Sequence, residues 1–317
     1  MEALYLGIDL GGTNVAAAAV NREGHILAQV SLPTPRGVEA VVDTIELASR
    51  RAAQECGHSL SEFAAAGVGS PGIANPDTGV VEYSCNLDFH NVPLAELLSR
   101  RLGLDIMLEN DANAAALGEF AAGAGKGADS MVAVTLGTGI GGGVIIDRKL
   151  FSGFNHAGAE LGHFVIQQDG LPCTCGRRGC FETYASATAL IRLTRAYMES
   201  DQGSLCWPLA EGRLDRVNGR TAFDAARRGD PTGRRIVDEF LSHLASGLVS
   251  IVNIFQPEVL CIGGGISNEG DALLSPLQAV LDAEDYARNS ARRTRLVIAT
   301  LGNDAGLIGA AMLPLYR

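Results

Sequence analysis

ALYLGIDLGGTNVAAAAVNREGHILAQVSL (residues 3–32) contains three apolar stretches separated by short turns. Aliphatic runs of this length, bounded by glycine and asparagine, are typical of β-strands. We therefore predict strands at 3–10, 14–20 and 25–32, a glycine-rich turn at Gly11–Gly12 and a second turn at Asn21–Gly24.

The same pattern returns later in the chain, in SMVAVTLGTGIGGGVIIDRKLFSG (130–153). Leu136-Gly137-Thr138-Gly139 aligns with Leu10-Gly11-Gly12-Thr13, and a third strand follows in both copies. Because one long repeat does not fit a solenoid, the pattern predicts a duplicated topology, two lobes facing each other across a cleft.

The remaining apolar segments alternate between strand and helix patterns, which predicts the α/β class. Small and glycine residues dominate 121–128, so we place the linker there, with domains at 1–121 and 122–301. Further strands are predicted at 64–72, 104–109, 259–267 and 296–302, and helices at 38–56, 94–102, 110–125, 185–200, 220–255, 270–284 and 304–316.

Composition excludes several classes of protein. The 317 residues carry a net charge of −11, so no basic face for nucleic acid is expected. The sequence contains no run of 18 apolar residues, so no membrane-spanning segment is predicted. A strand begins at residue 3 with no signal-peptide pattern before it, which predicts a cytoplasmic protein. The seven cysteines do not resemble a disulfide framework.

The two glycine-rich loops are candidate phosphate sites, since glycine lets backbone N–H groups approach an anion. Tight hairpin turns also favour glycine, but two loops at matching positions favour phosphate binding. A dinucleotide fingerprint at 137–142 is rejected because a strand, not a helix, is predicted after it. Gly125–Lys126 does not complete a Walker loop.

Two further elements bear on the nucleotide. Gly264 and Gly265 follow a buried strand and could admit an adenine, although these residues taken alone favour a simple strand-to-helix turn. Asp9 ends the first strand and could hold Mg²⁺ through water, or could instead fix the turn by hydrogen bonding.

A metal site is predicted from CTCGRRGC (173–180), with a histidine ten residues upstream. Three thiolates and one imidazole complete a closed tetrahedral zinc site, which is structural. A redox pair is the alternative, but Cys-x-Cys is poorly placed for one and leaves a third cysteine and the histidine without a role. The predicted ligands are His163, Cys173, Cys175 and Cys180.

Asn110-Asp111 lies between a predicted strand and helix, where either residue could serve as a helix cap. A helix N-terminus also keeps a carboxylate ionised, and an ionised Asp111 could accept a hydroxyl proton during phosphoryl transfer. Glu160 and Glu182 adjoin the zinc loop and, with His163, could hold a polyol.

These motifs together resemble the ROK family (repressors, open reading frames, kinases), and most closely its bacterial glucokinases. The resemblance spans essentially the whole chain, in family order. It is carried by DLGGTN (9–14), GSPG (69–72), LENDANAAALGE (108–119), LGTGIGGG (136–143), ELGH (160–163) and CTCGRRGCFETYAS (173–186).

The resemblance implies an actin/hexokinase-like two-lobe fold, with the final segment 302–317 returning to the first lobe. It implies an ATP-dependent hexokinase using Mg²⁺ and a structural zinc, in which Asp111 is the catalytic base. It also implies a homo-oligomer, a dimer or higher. Implied sugar-binding residues are Gly72, Asn86, Asn110, Asp111, Glu160, His163 and Glu182. Implied ATP-binding residues are Asp9, Gly11, Gly12, Thr13, Asn14, Gly137, Thr138, Gly139, Gly264 and Gly265.

Glucose is the expected substrate, but N-acetylmannosamine, N-acetylglucosamine, fructose, mannose and allose remain alternatives, as does polyphosphate as donor. A non-catalytic sugar-responsive regulator is a rival of another class. Regulators of this family carry a helix-turn-helix before the DLGGTN-like strand, and that strand starting at residue 3 leaves no room for one. A filament protein of the same superfold would not need the zinc loop.

Overall fold

A computed structural model describes residues 3–316. Its strands are β1 (Leu4–Leu10), β2 (Asn14–Asn21), β3 (Ile26–Pro33), β4 (Phe63–Ser70), β5 (Ile73–Asn75), β6 (Val80–Ser84), β7 (Phe89–Val92), β8 (Ile106–Asn110), β9 (Met131–Leu136), β10 (Ile140–Ile146), β11 (Lys149–Phe151), β12 (Val259–Gly263) and β13 (Arg295–Ile298). Its helices are α1 (Val38–Glu55), α2 (Leu94–Leu102), α3 (Asp111–Ala121), α4 (Glu182–Ala185), α5 (Ala187–Ser200), α6 (Cys206–Leu209), α7 (Thr221–Arg227), α8 (Pro231–Phe255), α9 (Asp271–Glu284) and α10 (Ala305–Met312).

Two five-stranded sheets share one topology. Their hydrogen-bonded orders are β3-β2-β1-β4-β8 and β11-β10-β9-β12-β13. In the first, β1 pairs antiparallel with β2 and parallel with β4, and β4 pairs parallel with β8. In the second, β10 and β11 are antiparallel whereas β12 and β13 are parallel. The duplication predicted from the two glycine-rich loops is therefore confirmed.

A third sheet, of order β5-β6-β7, was missed by the sequence analysis. It lies between β4 and α2 in the chain, and its strands are only three to five residues long. Such short strands show little periodicity. The glycines at Gly72 and Gly79, both with positive φ, were the available turn signals on either side of β5.

Several predicted bounds were too long. The strand predicted at 259–267 ends at Gly263, and a short 3₁₀ helix takes Gly265–Glu269. The strand predicted at 296–302 is Arg295–Ile298, and the last α-helix ends at Met312. Gly264 follows the end of β12 and Pro314 lies two residues after the end of α10, and these residue types interrupt regular hydrogen bonding.

The chain divides into two compact units, whose extents differ from the predicted domains because 122–133 and 142–159 belong to the first unit. One consists of Met1–Ala133, Gly142–Ala159 and Thr300–Arg317, and the other of Val134–Gly141 and Glu160–Ala299. In the first unit, the core lies between β1, β2 and β4 and helices α1 and α2, with Ile8, Ile45 and Leu98 fully buried. Among residues 3–316, no helix combines the length and apolarity needed to cross a membrane.

Candidate functional site

In the first unit, two carboxylates meet at the carboxyl edge of three parallel strands. Asp9 of β1 pairs with Gly69 of β4, and Ser70 of β4 pairs with Asn110 of β8. Asp111 follows Asn110 directly as the first residue of α3. Parallel strands of an open α/β sheet present their carboxyl ends at one edge, where ligands characteristically bind. The register therefore explains why residues 102 positions apart in sequence interact electrostatically.

Asn110 is the N-cap of α3. Of the two residues that the sequence offered as a helix cap, Asn110 and Asp111, the structure therefore selects Asn110. Its Oδ1 accepts from the N–H groups of Ala112 at 2.9 Å and Asn113 at 3.2 Å. Its Nδ2 donates to the carbonyl oxygen of Gly72 at 3.0 Å. Asn110 thereby fixes the start of α3, and Asp111 is left free of the capping role at the N-cap position.

The carboxyl group of Asp111 is held by the helix start but largely removed from water. Its Oδ1 accepts from the N–H of Ala112 at 2.8 Å. Burial raises the pKa of Asp111, and hydrogen bonds from Ala112, its own N–H and Asn110 only partly oppose this. Desolvation of the Asp111 carboxyl group therefore outweighs the opposing effect of these hydrogen bonds on its pKa.

Asp9 is the second half of this pair. Burial, followed by the negative charge of Asp111, raises the pKa of Asp9 to about 6. Within residues 3–316 its carboxylate makes no hydrogen bond, so it does not fix the turn that follows; the turn is closed by the N–H of Gly11 donating to Asn14 O at 2.9 Å. A carboxylate that has no hydrogen-bond partner and lies beside a candidate phosphate-binding loop is a suitable ligand for a cation.

The first glycine-rich loop joins β1 to β2. The N–H groups of Gly12 and Thr13 make no hydrogen bond within the described residues, and both residues are exposed. Such N–H groups are available to an anion. Gly12 also packs on Asn86, since a Cβ at Gly12 would lie 3.3 Å from that of Asn86. The structure therefore brings Asn86, on the β6–β7 turn, beside the loop.

Gly72 has a specific backbone role. Its φ is 97°, a region that favours glycine, and a Cβ there would collide with the carbonyl oxygen of Tyr83. Its own carbonyl receives the Asn110 hydrogen bond described above. Gly72 thus links the small sheet to the start of α3, next to Asp111.

The second glycine-rich loop, Gly137–Gly139, lies in the other unit and joins β9 to β10. Here too the N–H groups of Thr138 and Gly139 have no hydrogen-bond partner within residues 3–316, while Gly137 N–H closes the turn onto Gly139 O at 3.0 Å. A strand follows the loop, which confirms the rejection of a dinucleotide fingerprint.

Gly264 lies against the base of this second loop. Its φ is 87°, and a Cβ there would collide with the carbonyl oxygen of Leu136. Gly265, by contrast, has open space where a Cβ would be. Gly264 caps the 3₁₀ helix that begins at Gly265, so the strand-to-helix turn is real. The open space at Gly265, beside the second glycine-rich loop, is also compatible with a planar adenine ring.

The four predicted metal ligands form one cluster in the second unit. The ligand atoms of His163, Cys173, Cys175 and Cys180 all lie within 4.8 Å of one another. The Sγ atoms of Cys175 and Cys180 are 3.7 Å apart, as are Cys173 Sγ and His163 Nδ1. Sulfur atoms bound at about 2.3 Å to one tetrahedral zinc ion would lie about 3.8 Å apart. The cluster therefore fits zinc, with Nδ1 as the ligand nitrogen of His163.

Two loop hydrogen bonds give this cluster its shape. The N–H of Cys173 donates to Arg177 O at 2.9 Å, and the N–H of Gly176 donates to Cys173 O at 3.1 Å. Burial raises the pKa of the Cys173 thiol to about 12. A coordinated zinc ion would displace that proton, since metal-bound thiols are deprotonated.

Glu182 lies between the metal cluster and the second glycine-rich loop. Its Oε1 is 3.1 Å from Cys173 Sγ and 3.6 Å from His163 Nδ1, while its Oε2 accepts from Ile140 N–H at 3.4 Å. A Cβ at Gly139 would collide with that Oε2. Both oxygens of Glu182 are thus already directed at protein groups, which sequence spacing did not indicate.

Glu160 is less constrained. It caps the 3₁₀ helix Leu161–His163 through its backbone, and its carboxylate has no partner among residues 3–316. Gly162, within the same turn, packs so closely on Ile140 that a Cβ would collide with the carbonyl oxygen of Ile140. The ELGH segment is therefore anchored to β10, and the Glu160 carboxylate is available to a ligand.

Comparison with known proteins places this geometry in context. Residues 5–316 match the sequence family described as the ROK family. The chain belongs to the ROK family. It is 39% identical to the glucokinase of Streptomyces coelicolor, over 98% of this chain and 97% of that protein. It is 41% identical to the glucokinase of Thermotoga maritima, over 97% and 96% respectively.

A solved structure resembles this ROK protein over nearly its whole length. It is a ROK family glucokinase from Streptomyces griseus in complex with glucose and AMPPNP. The TM-score is 0.79 at 37% identity, covering 98% of this chain and 99% of the other. The predicted fold class, α/β and actin/hexokinase-like with two domains, is confirmed.

One structural residue of this ROK chain was missed. Glu119, 3% exposed, accepts hydrogen bonds near the end of α3 from Ala124 N–H at 3.0 Å, Thr300 N–H at 3.1 Å and Leu301 N–H at 2.7 Å. It ties the helix that begins with Asp111 to the segment leading into α10. No sequence signal marks it, because glutamate on a helix is ordinarily a solvated residue.

Proposed function

We propose that this chain is an ATP-dependent glucokinase, which converts ATP and D-glucose to ADP and glucose 6-phosphate. The observation that carries the proposal is the near-full-length similarity to three glucokinases, one of them solved with glucose and an ATP analogue. The two glycine-rich loops support it independently, because each has two N–H groups without a hydrogen-bond partner within residues 3–316.

Asp111 is the proposed catalytic base. Its carboxylate accepts the proton of the glucose 6-hydroxyl as that oxygen bonds to the γ-phosphorus of ATP, and the bond from this phosphorus to the β–γ bridging oxygen breaks to release ADP. Because the transition state is loose, the protein contributes mainly positioning and charge stabilisation. The raised pKa of Asp111 suits this role, since a base is most effective when its pKa approaches the working pH.

The phosphates of ATP are assigned to the glycine-rich loops. Gly11, Gly12, Thr13 and Asn14 form the first, and Gly137, Thr138 and Gly139 the second, with Gly264 and Gly265 assigned to adenine. Asp9 fits Mg²⁺, because its carboxylate has no hydrogen-bond partner within residues 3–316. When bound there, Mg²⁺ would neutralise charge on the phosphate oxygens.

Sugar hydroxyls are assigned to Glu160, whose carboxylate has no partner in the described part of the chain, and to His163, whose Nε2 remains available when Nδ1 faces the zinc. Asn86, Asn110, Gly72 and Glu182 complete the proposed set. Asn110 can donate only its second Nδ2 proton, since Oδ1 caps α3 and the first proton goes to Gly72. The zinc is proposed to be structural, because three cysteines and a histidine fill a tetrahedral shell and leave no position for water.

The test is a coupled ADP-release assay with a panel of hexoses and N-acetylhexosamines, each supplied with ATP or with polyphosphate. We expect glucose with ATP to give the highest kcat/KM. Mannose differs from glucose only in the configuration of one hydroxyl group, so its kcat/KM measures how strongly the site recognises that hydroxyl. If another sugar gave a higher kcat/KM, that sugar would replace glucose as the proposed substrate. If no sugar stimulated ADP release, the proposed kinase activity would be refuted. We also propose a homo-oligomer, which sedimentation velocity would test.

A further inference from the structure

The interior of the longest helix, α8, contains a glycine where helix propensity disfavours it. Gly247 lies eight residues before the end of this 25-residue helix and is buried. Glycine is among the poorest helix formers, so its presence mid-helix calls for a packing reason. The reason is a ring: a Cβ at Gly247 would lie 2.5 Å from Cδ2 of Phe181 and closer still to its Cε2 and Cζ.

Phe181 cannot move aside to admit that Cβ. It is fully buried and stacks on Phe164, with ring centroids 5.2 Å apart and planes 26° apart. Its backbone N–H donates to Phe164 O at 2.8 Å. The ring is therefore held between Phe164 on one side and the bare backbone of α8 on another.

Both rings adjoin residues of the candidate metal cluster in the sequence, so their contact can affect that cluster. Phe181 lies between the metal ligand Cys180 and the carboxylate Glu182, and Phe164 directly follows the ligand His163. A displacement of Phe181 therefore displaces a metal ligand on one side and Glu182 on the other.

A second contact on the same face of α8 supports the first. The Tyr184 ring lies 5.1 Å from the His243 ring, and His243 precedes Gly247 by one helical turn. The Tyr184 hydroxyl oxygen accepts from Leu171 N–H at 2.7 Å, at the start of the cysteine loop. One face of α8 thus supports both ends of the segment that contains Glu182.

We propose that Gly247 is a positioning residue for the metal loop: its lack of a side chain lets the Phe181 ring rest on α8, and this fixes Cys180 and Glu182. The effect on catalysis rests on the proposed glucokinase activity, whereas the effect on metal binding does not. Residues that support metal ligands characteristically alter metal affinity or activity by about 10–100-fold when changed.

The experiment compares Gly247→Ala with Ser246→Ala in the full-length, zinc-loaded protein. Ser246 is the exposed neighbour on the same helix, so it controls for a generic change in α8. We expect Gly247→Ala to speed zinc loss to a chelator about 10–100-fold and to raise the glucose KM with little change in the ATP KM. We expect Ser246→Ala to match the wild type in both. Unchanged zinc loss in Gly247→Ala would overturn the proposal.

A double variant distinguishes a specific contact from general destabilisation. Phe181→Leu removes ring volume, so Phe181→Leu with Gly247→Ala should recover slower zinc loss than Gly247→Ala alone, a non-additive result. Simple additivity would overturn the proposal. If Gly247→Ala does not fold, recovery of a folded, zinc-retaining double variant supports the contact, and failure to recover refutes it. A wild type that retains zinc but phosphorylates no sugar would refute only the proposed function.

Discussion

Replacing Asp111 by asparagine tests the proposed base with little change of shape. Asparagine keeps an Oδ1 that can accept from Ala112 N–H, the hydrogen bond that Asp111 makes at 2.8 Å. It removes only the ability to take a proton. The cap of α3 is unaffected, because Asn110 provides it.

The magnitude follows from the role. General base catalysis contributes roughly 10²–10⁴-fold, which corresponds to about 3–5.5 kcal/mol of transition-state stabilisation. Stability should move little or rise at neutral pH, because the variant no longer buries a carboxylate whose pKa desolvation has raised. The pKa of Asp9 should fall as well, since the negative charge of Asp111 contributes to raising it.

The assay is steady-state ADP release with glucose and ATP, measured from acid to neutral pH, alongside thermal unfolding. Wild-type kcat should decline as the pH falls through the raised pKa of Asp111, because the base form is lost there. Asp271→Asn is the matched control: Asp271 is also the first residue of a helix, but it is exposed. It should retain wild-type kcat.

Near-normal turnover in folded Asp111→Asn would refute Asp111 as the base. Loss of turnover together with loss of folding would indicate a structural role instead. A parallel loss in the Asp271 variant would point to a general effect of removing acidic groups at helix starts.

Three further predictions concern the metal, pH and stability. Metal analysis should find about one zinc per chain, and Cys175→Ser should lower that content; a fully stable and active wild type without metal would contradict the closed site. Asp9→Asn should stabilise the protein by up to about 3 kcal/mol above pH 6 but not near pH 4, since a carboxyl group with a pKa raised to about 6 favours folding only while protonated. Denaturant unfolding at both pH values measures this, and equal effects at both would contradict it. Glu119→Ala should cost about 3 kcal/mol or more, because it leaves buried N–H groups unpaired, whereas exposed Glu55→Ala should cost under about 0.5 kcal/mol; similar unfolding midpoints would disprove the difference.

The local chemistry of the site was accessible from the sequence. The glycine-rich loops and the cysteine spacing are short-range patterns, in which each residue type has a direct physical reason. The metal cluster shows this best, since three of its four ligands lie within eight residues and the fourth is ten residues upstream. The short sheet β5-β6-β7 was not predicted, because strands of three to five residues carry too little periodicity.

Electrostatic environment was not accessible in the same way. The sequence places Asp111 at a helix start and therefore favours its ionised form. Only the packing around it shows that burial raises its pKa instead, and that Asn110 rather than Asp111 caps the helix.

By itself, then, the sequence determined the duplicated α/β topology, the two glycine-rich loops and the four residues of the candidate metal cluster. Tertiary structure decided that Asp9 and Asp111 share one sheet edge, that Glu182 faces the metal cluster, and that Phe181 rests on Gly247. The physical reason is that periodicity and spacing record what neighbouring residues do along one chain segment. Register between strands and contact between side chains distant in sequence depend on packing, which no single segment contains.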